Sequence, residues 1–322
     1  CTVRLKRALR STMHIVVSEF IDQAALNQVG SGATVDYDPE LVENRPRLLD
    51  RMRLATGLIV RNRTQVDGEL LAAAPHLKVV GRLGVGLDNI DLKACEARNI
   101  AVHPATGANT LPVAEYVITA SLMLLRGAFF ARGAMIAGDW PRSALIGGET
   151  SGRVMGLLGF GAIARAVADR ARSLGMTILA HDPFLAADDP AWQHAQTCSL
   201  KALLAQADVL SLHVPLTATT RNLIDAEALA RMKPSAIVIN TARGGIVDEA
   251  ALAHALRHET LAAAALDVFD QEPLTAASAA KFDGLGSILL TPHIAGVSTE
   301  ANIRVSAVTV TNVLNELRSL NG

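Results

Sequence analysis

Residues 153–175 read RVMGLLGFGAIARAVADRARSLG, a strand, a turn and a helix, with Gly159, Gly161 and Ala164 in the spacing Gly-x-Gly-x-x-Gly/Ala. Gly159 lets the chain turn sharply, Gly161 lets backbone N–H groups approach a pyrophosphate, and a small Ala164 lets helix and strand pack closely. Alone, the pattern is weak, because a glycine-rich strand–helix turn arises for other reasons about as often. Its context decides. Asp182, in ILAHDPF, ends the next strand about twenty residues beyond the glycines, where an acidic side chain accepts from both ribose hydroxyls of NAD and repels the 2′-phosphate of NADP. The expected cofactor is NAD. Asp182 precedes Pro183 and also suits a turn, and the two readings coexist.

The same alternation continues on both sides of this segment. Downstream, MTILAHDPF, ADVLSLHVP, AIVINTA, AAAALDVF and SILLTPHIAG join RVMGLLGF to give six strands, a full doubly wound parallel sheet. Upstream from Met13 come HIVVSEF, a helix from about Asp22, ATGLIVRNR, a second helix and LKVVGRL. Between the halves, NTLPVAEYVITASLMLLRG (109–127) opens on Asn109, Thr110 and Pro112, which are helix-start residues. Its apolar positions run almost all the way round, so burial on several sides is expected. The fold class is α/β: two doubly wound parallel-sheet domains.

Half of the 322 residues are hydrophobic and only 3% are aromatic, so the core is built from Ala, Val, Ile and Leu, as helices packed on parallel sheets require. A formal net charge of -1 leaves no footprint for nucleic acid or an anionic membrane. Even the apolar run VITASLMLL (117–125) stops at Arg126, well short of a membrane span. Cys1, Cys95 and Cys198 are odd in number and widely spaced, which suits a reducing compartment and no metal site. A soluble, cytoplasmic protein with a small-molecule substrate is expected. Residues 1–12, CTVRLKRALRST, are basic but short and lack a small-residue cleavage site, so they read as residues from an upstream start rather than a targeting leader.

Three further segments carry the chemistry: NTARGGIVDE (240–249), ALDVFDQEP (265–273) and TPHIAG (291–296). Arg243 offers the planar fork that holds a carboxylate with two parallel hydrogen bonds. Gly244 and Gly245 give the strand end room to turn. His293, at the end of a strand, is placed to move a proton. A nearby carboxylate would fix its tautomer and favour its charged form, and Asp270 and Glu272 both qualify on position alone.

Together with GLLGFGAIAR, these segments resemble the D-2-hydroxyacid dehydrogenase family, in its phosphoglycerate dehydrogenase-like branch, from about residue 13 to the end. The resemblance implies a Rossmann NAD domain of residues 109–295 inserted into a discontinuous, flavodoxin-like substrate domain of residues 13–108 and 296–322. It implies Arg243, Glu272 and His293 as the catalytic trio, since the family pattern Asp-Val-Phe-x-x-Glu-Pro selects Glu272. Formate dehydrogenases carry glutamine there, so the glutamate argues against that reaction. Around NAD it implies Pro215 and Thr217 of HVPLT beside the adenosine and pyrophosphate, Thr241 and Ala242 at the nicotinamide ribose, and Asp267 accepting from the carboxamide. His213, in the same HVPLT segment, reads as structural.

For the substrate, the resemblance implies a backbone nest at Gly84, Val85 and Gly86 for the carboxylate and a contact from Asn109. Arg61 would bind a second anion, and Arg142 of GDWPR would reach it from a neighbouring subunit, which implies a homodimer or a dimer of dimers. RNRTQVD, GRLGVGLDNID, GDWPR and AHDPF also resemble the bacterial (S)-sulfolactate dehydrogenases. Phosphate or sulfonate at C3 and a plain hydroxypyruvate- or glyoxylate-type substrate stay open at this point. So does a non-catalytic, NAD-sensing binding protein.

Overall fold

The computed structural model describes residues 13–320, and the basic segment 1–12 lies outside them. The chain divides into two units, one running to Asn109 and resuming at Ser298, the other Thr110–Val297.

The first unit holds five parallel strands: β1 (Met13–Val17), β2 (Ala33–Tyr37), β3 (Gly57–Val60), β4 (Val79–Arg82) and β5 (Ala101–Pro104), in the order β2-β1-β3-β4-β5. This is the flavodoxin-like order. Alternate side chains go to opposite faces of a strand, and the core divides accordingly. Ile15, Val17, Ile59 and Val79 meet Val305, Val310, Val313 and Leu317 of the helix Thr299–Ser319. Val16, Leu58, Val60 and Val80 meet Leu48, Met52, Leu70 and Leu71 on the other face. The helix expected from Asp22 is one turn, Gln23–Leu26, capped by the Asp22 carboxylate and continued as a 3-10 helix, Asn27–Gly32.

The second unit holds seven parallel strands: β6 (Val154–Leu158), β7 (Thr177–His181), β8 (Gln196–Thr197), β9 (Val209–Leu212), β10 (Ile237–Asn240), β11 (Ala263–Leu266) and β12 (Ile288–Leu290). Their order is β12-β11-β10-β9-β6-β7-β8, so the direction of winding reverses between β6 and β9. Every residue of β9, β10 and β11 is buried, as expected of strands covered on both faces. Six strands are the apolar runs read from the sequence; the seventh, β8, is a two-residue edge strand.

The helix Thr110–Arg126 packs on the helix Ala162–Ser173. It buries Val113, Ala114, Val117, Ala120, Ser121, Leu124 and Leu125, which form one wide face rather than several. Ile118, Leu122 and Met123 remain half-buried, and Glu115 and Thr119 are exposed. Among the described residues no helix is long and apolar enough to cross a membrane.

Candidate active site

The turn after β6 requires glycine twice over at position 159. Its φ is +85°, and a Cβ there would stand 2.7 Å from the His213 carbonyl oxygen. The helix Ala162–Ser173 then starts from Gly161 without a side-chain cap, and a Cβ added at Gly161 would meet nothing within 4 Å. With no side chain over it and Gly161 and Ala162 exposed, this helix start can serve as a cradle for an anion. Ala164 is fully buried beneath it. Asp182 follows β7 directly: Oδ2 accepts from the Phe160 N–H at 2.9 Å and Oδ1 from the Phe184 N–H at 3.0 Å. One carboxylate thus closes its own turn and borders the glycine loop.

At the end of β10 the Thr241 hydroxyl is buried with no hydrogen-bond partner, a polar atom that awaits a ligand. Open N–H groups, a bordering carboxylate and an orphaned hydroxyl fit a dinucleotide. Pro215 and Thr217 lie exposed in the loop after β9, where the Thr217 hydroxyl is 3.0 Å from those of Thr219 and Thr220. His213 is half-buried; desolvation pushes its imidazole down to about 4, and its Nε2 is 3.0 Å from Ser211 Oγ.

The strand ends β10, β11 and β12 assemble the second cluster. Buried Asn240 shapes the first loop, its Oδ1 accepting from the Ala242 N–H at 3.0 Å and its Nδ2 donating to the Arg243 carbonyl at 2.8 Å. Gly244 then lies so close to the next loop that a Cβ would be 1.8 Å from the Phe269 oxygen. Its role is close approach, whereas Gly245, at φ +76°, makes the turn. Glu249, buried, accepts from the Asp270 N–H at 2.7 Å and from Lys281 Nζ at 2.6 Å, fixing that next loop from beneath.

Glu272 is therefore held in place when it accepts from the Phe269 N–H at 3.0 Å through Oε1 and meets His293 Nδ1 at 2.7 Å through Oε2. Desolvation pushes its pKa upward, but the hydrogen bonds from His293 and Phe269 and the positive charge of His293 and Arg243 prevail. The carboxyl sits below the usual glutamate range. Of the two acids that position alone left open, Glu272 meets the imidazole; the Asp270 carboxylate lies 4.0 Å from Arg221.

His293 has φ +52°, a left-handed conformation that costs a residue with a β-carbon about 1–3 kcal/mol and persists only where its surroundings over-determine it. Here they do. The His293 N–H donates to the Asp267 carbonyl at 2.7 Å, and the next two N–H groups, of Ile294 and Ala295, each donate to the Asp267 carboxylate at 2.8 Å. The Thr291 hydroxyl adds a fourth bond at 2.6 Å. The Asp267 carboxylate, 1% exposed, clamps the loop that carries His293, with two bonds on Oδ1 and one on Oδ2.

The first unit presents Arg61 with comparable care. Buried Glu19 accepts from the backbone N–H groups of Arg61, Thr64 and Arg63 at 2.8, 3.0 and 3.2 Å, and Asn89 donates to the Arg61 and Thr64 carbonyls. The guanidinium lies 5.7 Å from the centre of the Phe20 ring and donates to Asn302 Oδ1. In the glycine loop, Gly84 spends its N–H on the Arg82 carbonyl at 2.8 Å, which leaves Val85 and Gly86 as the donors of the expected nest. Asn109 Oδ1 is buried without a partner. Arg142 stands on an exposed segment, where its backbone N–H meets the Trp140 carbonyl.

Sequence reading missed Glu19, Asn89, Asn240 and Glu249. The last two lie inside the segment whose reading rests on Thr241, Ala242, Arg243 and the two glycines. Glu249 follows the helix cap Asp248, where an acidic residue has an ordinary explanation.

The profile of the D-isomer specific 2-hydroxyacid dehydrogenase NAD binding domain matches residues 118–295. The chain is 55% identical over 304 residues to the (S)-sulfolactate dehydrogenase of Chromohalobacter salexigens, covering 94% of this chain and 98% of that one. It is 35% identical to the D-3-phosphoglycerate dehydrogenase of Archaeoglobus fulgidus, over 96% of this chain and 58% of that longer protein. A glyoxylate reductase from Paecilomyes thermophila superposes with a TM-score of 0.84 at 29% identity, over 96% of this chain and 95% of that one. The chain belongs to the D-isomer-specific 2-hydroxyacid dehydrogenases, NAD-dependent oxidoreductases that interconvert a D-2-hydroxy acid and its 2-keto acid.

Proposed function

We propose that the substrate is a three-carbon acid with a sulfonate at C3, (S)-3-sulfolactate, whose S label denotes the same spatial hand as a D-hydroxy acid. The observation that carries the chemistry is the His293–Glu272 pair at 2.7 Å beside Arg243. Bonding through Nδ1 leaves Nε2 of His293 for the substrate. In oxidation Nε2 takes the proton of the C2 hydroxyl; in reduction the imidazolium returns it. Glu272 holds the ring and balances its charge, and Arg243 holds the carboxylate or the C2 oxygen. Bound NAD supplies the acceptor, and on reversal the donor, of the C2 hydride. The helix start at Gly161 and Ala162 holds its pyrophosphate, with Pro215 and Thr217 beside it. Asp182 holds the ribose hydroxyls, and Thr241 and Ala242 line the nicotinamide side.

The first unit is the substrate domain in this reading. Val85 and Gly86 donate to the substrate carboxylate, Asn109 contacts the substrate, and Arg61 takes the C3 anion. The relative from Chromohalobacter supports the sulfonate over the phosphate. We further infer a cytoplasmic homodimer. Phe129, Ile136, Trp140 and Ile146 are 63, 70, 76 and 82% exposed along one segment, an apolar surface suited to a second copy. Arg142 lies within that segment and would reach the partner's substrate. Cys95 and Cys198 are free thiols, as a reducing compartment favours.

Initial rates of NAD reduction over (S)-sulfolactate, D-3-phosphoglycerate, D-glycerate and D-lactate test the assignment. The highest kcat/KM is expected for sulfolactate; a preference for D-glycerate would make the chain a hydroxypyruvate reductase. Arg61→Ala is expected to raise KM for the sulfonated and phosphorylated acids by about ten- to a hundredfold, the worth of an ionic hydrogen bond, and to affect D-lactate less. Equal KM values in wild type and variant would remove Arg61 from the anion site. Asp182→Asn is expected to weaken NAD and relieve the rejection of NADP, read by titrating both cofactors. Wild-type protein that prefers NADP would overturn that role.

A further inference from the structure

Tyr116 sits midway along the helix Thr110–Arg126, with its ring half-buried against the core of the second unit. Its hydroxyl is 2.6 Å from Thr291 Oγ1, and Thr291 Oγ1 is in turn 2.6 Å from Asp267 Oδ1. These contacts have a fixed direction. A carboxylate only accepts, so the single Thr291 proton is committed to Asp267, and Tyr116 must donate to the Thr291 lone pair. Burial pushes the Tyr116 phenol up, against the opposing pull of its hydrogen bond with Thr291 and with the help of the Asp267 charge, so the donor keeps its proton.

The far end of this chain is the clamp on His293. Asp267 Oδ1 receives the Thr291 hydroxyl and the Ile294 N–H, and Oδ2 receives the Ala295 N–H. The His293 N–H is shared between the carbonyls of Asp267 and Thr291, at 2.7 and 3.0 Å. Thr291 thus holds the His293 loop by two routes: its carbonyl accepts from the His293 N–H, and its hydroxyl orients the carboxylate that holds Ile294 and Ala295. Fixing the Thr291 side chain fixes a loop whose central residue is in a left-handed conformation.

We propose that Tyr116 is a positioning residue for His293, acting through Thr291 and Asp267 to hold the imidazole where proton transfer at C2 requires it. The proposal rests on the acid–base reading of His293. No residue of the glycine loop or of the Arg61 loop takes part, so the binding of the NAD pyrophosphate and of the C3 anion is separable from it.

Tyr116→Phe removes the donor and keeps the ring. It is expected to lower kcat about three- to tenfold, the worth of one hydrogen bond at the reacting group, with KM and NAD affinity within about twofold of wild type. The solvent deuterium isotope effect on kcat is expected to rise as proton transfer slows. Partial unfolding would scale kcat without changing that ratio. Thr291→Ser, which keeps the hydroxyl, is expected to behave as wild type, and Thr291→Val to reproduce the loss. The double variant Tyr116→Phe/Thr291→Val should be no worse than Thr291→Val, since the two act in series. The proposal is overturned by an unchanged kcat in Tyr116→Phe, by an unchanged isotope effect, or by losses that multiply in the double variant. His293→Ala, run in parallel, separates the two readings: normal turnover there would defeat the acid–base role itself.

Discussion

His293→Ala is expected to lower kcat by about 10²- to 10⁴-fold, the usual contribution of a positioned general acid or base, while NAD binding stays near normal. The expectation follows from geometry. Nδ1 is occupied by Glu272 at 2.7 Å, so removal of the ring takes away the one imidazole nitrogen left for the substrate and nothing that touches the glycine loop. Steady-state kinetics with NAD titration by fluorescence checks both halves, and a kcat within tenfold of wild type would refute the role. The companion Glu272→Gln separates charge from contact. In reduction the enzyme must enter with a protonated ring, and the carboxylate favours that form. Neutral glutamine removes the charge, so the alkaline limb of the reduction profile should move to lower pH. Glu272 itself lies below the usual glutamate range, so its charge stabilises the folded state above that range and is lost only as pH falls through the depressed value.

The sequence made the scaffold of this site legible and left its bracing hidden, for physical reasons. Continuous apolar runs such as AIVINTA and ADVLSLHVP exist because strands buried on both faces leave no room for alternation, so β9 and β10 could be read directly. Of the edge strands, β12 shows such a run, but β2, β5 and β8 do not: they are partly exposed, and ATVDY, AVHP and QT contain no continuous apolar stretch. Arg243 and His293 could be named from their segments because the chemistry limits which residue types can serve, whereas Glu272 is separated from Asp270 only by the family pattern. Asp267, Glu249 and Glu19 could not be assigned their work in the same way. Each is a carboxylate buried to satisfy backbone N–H groups from a loop distant in sequence, and pairings such as Asp267 with Ala295 or Glu19 with Thr64 appear only in the folded chain. Asp267 shows the consequence. An acid near a reacting centre invites a ligand-binding role, and its work in holding the loop of His293, through bonds from Thr291, Ile294 and Ala295, has no mark in the sequence.

Gly244→Ala is expected to lower kcat/KM about 10²-fold and to reduce the melting temperature, although residue 244 carries no side chain to contact a substrate. A Cβ there would lie 1.8 Å from the Phe269 oxygen, 2.1 Å from its carbonyl carbon and 2.7 Å from the Asp270 nitrogen. All three are backbone atoms, so no side chain can rotate away and the loops must separate by more than an ångström. Separation has two costs. Phe269 donates to Glu272 and Asp270 donates to buried Glu249, so moving this stretch strains both bonds; overpacking of this kind costs about 1–3 kcal/mol, or roughly 2–12 °C in a unit of this size. The same movement draws Arg243 away from the His293–Glu272 pair, and a misplacement of about 1 Å at a reacting centre is enough for a hundredfold loss. Gly245→Ala is the informative control. Its φ of +76° should destabilise the chain, while the nearest atoms to a new Cβ are the ends of the Asp270 and Arg221 side chains, which can move aside. Thermal unfolding and steady-state kinetics on both variants should therefore show loss of stability in each, and the larger loss of turnover in Gly244→Ala. Full activity in Gly244→Ala would mean that the contact between the two loops does not set the distance between Arg243 and the imidazole.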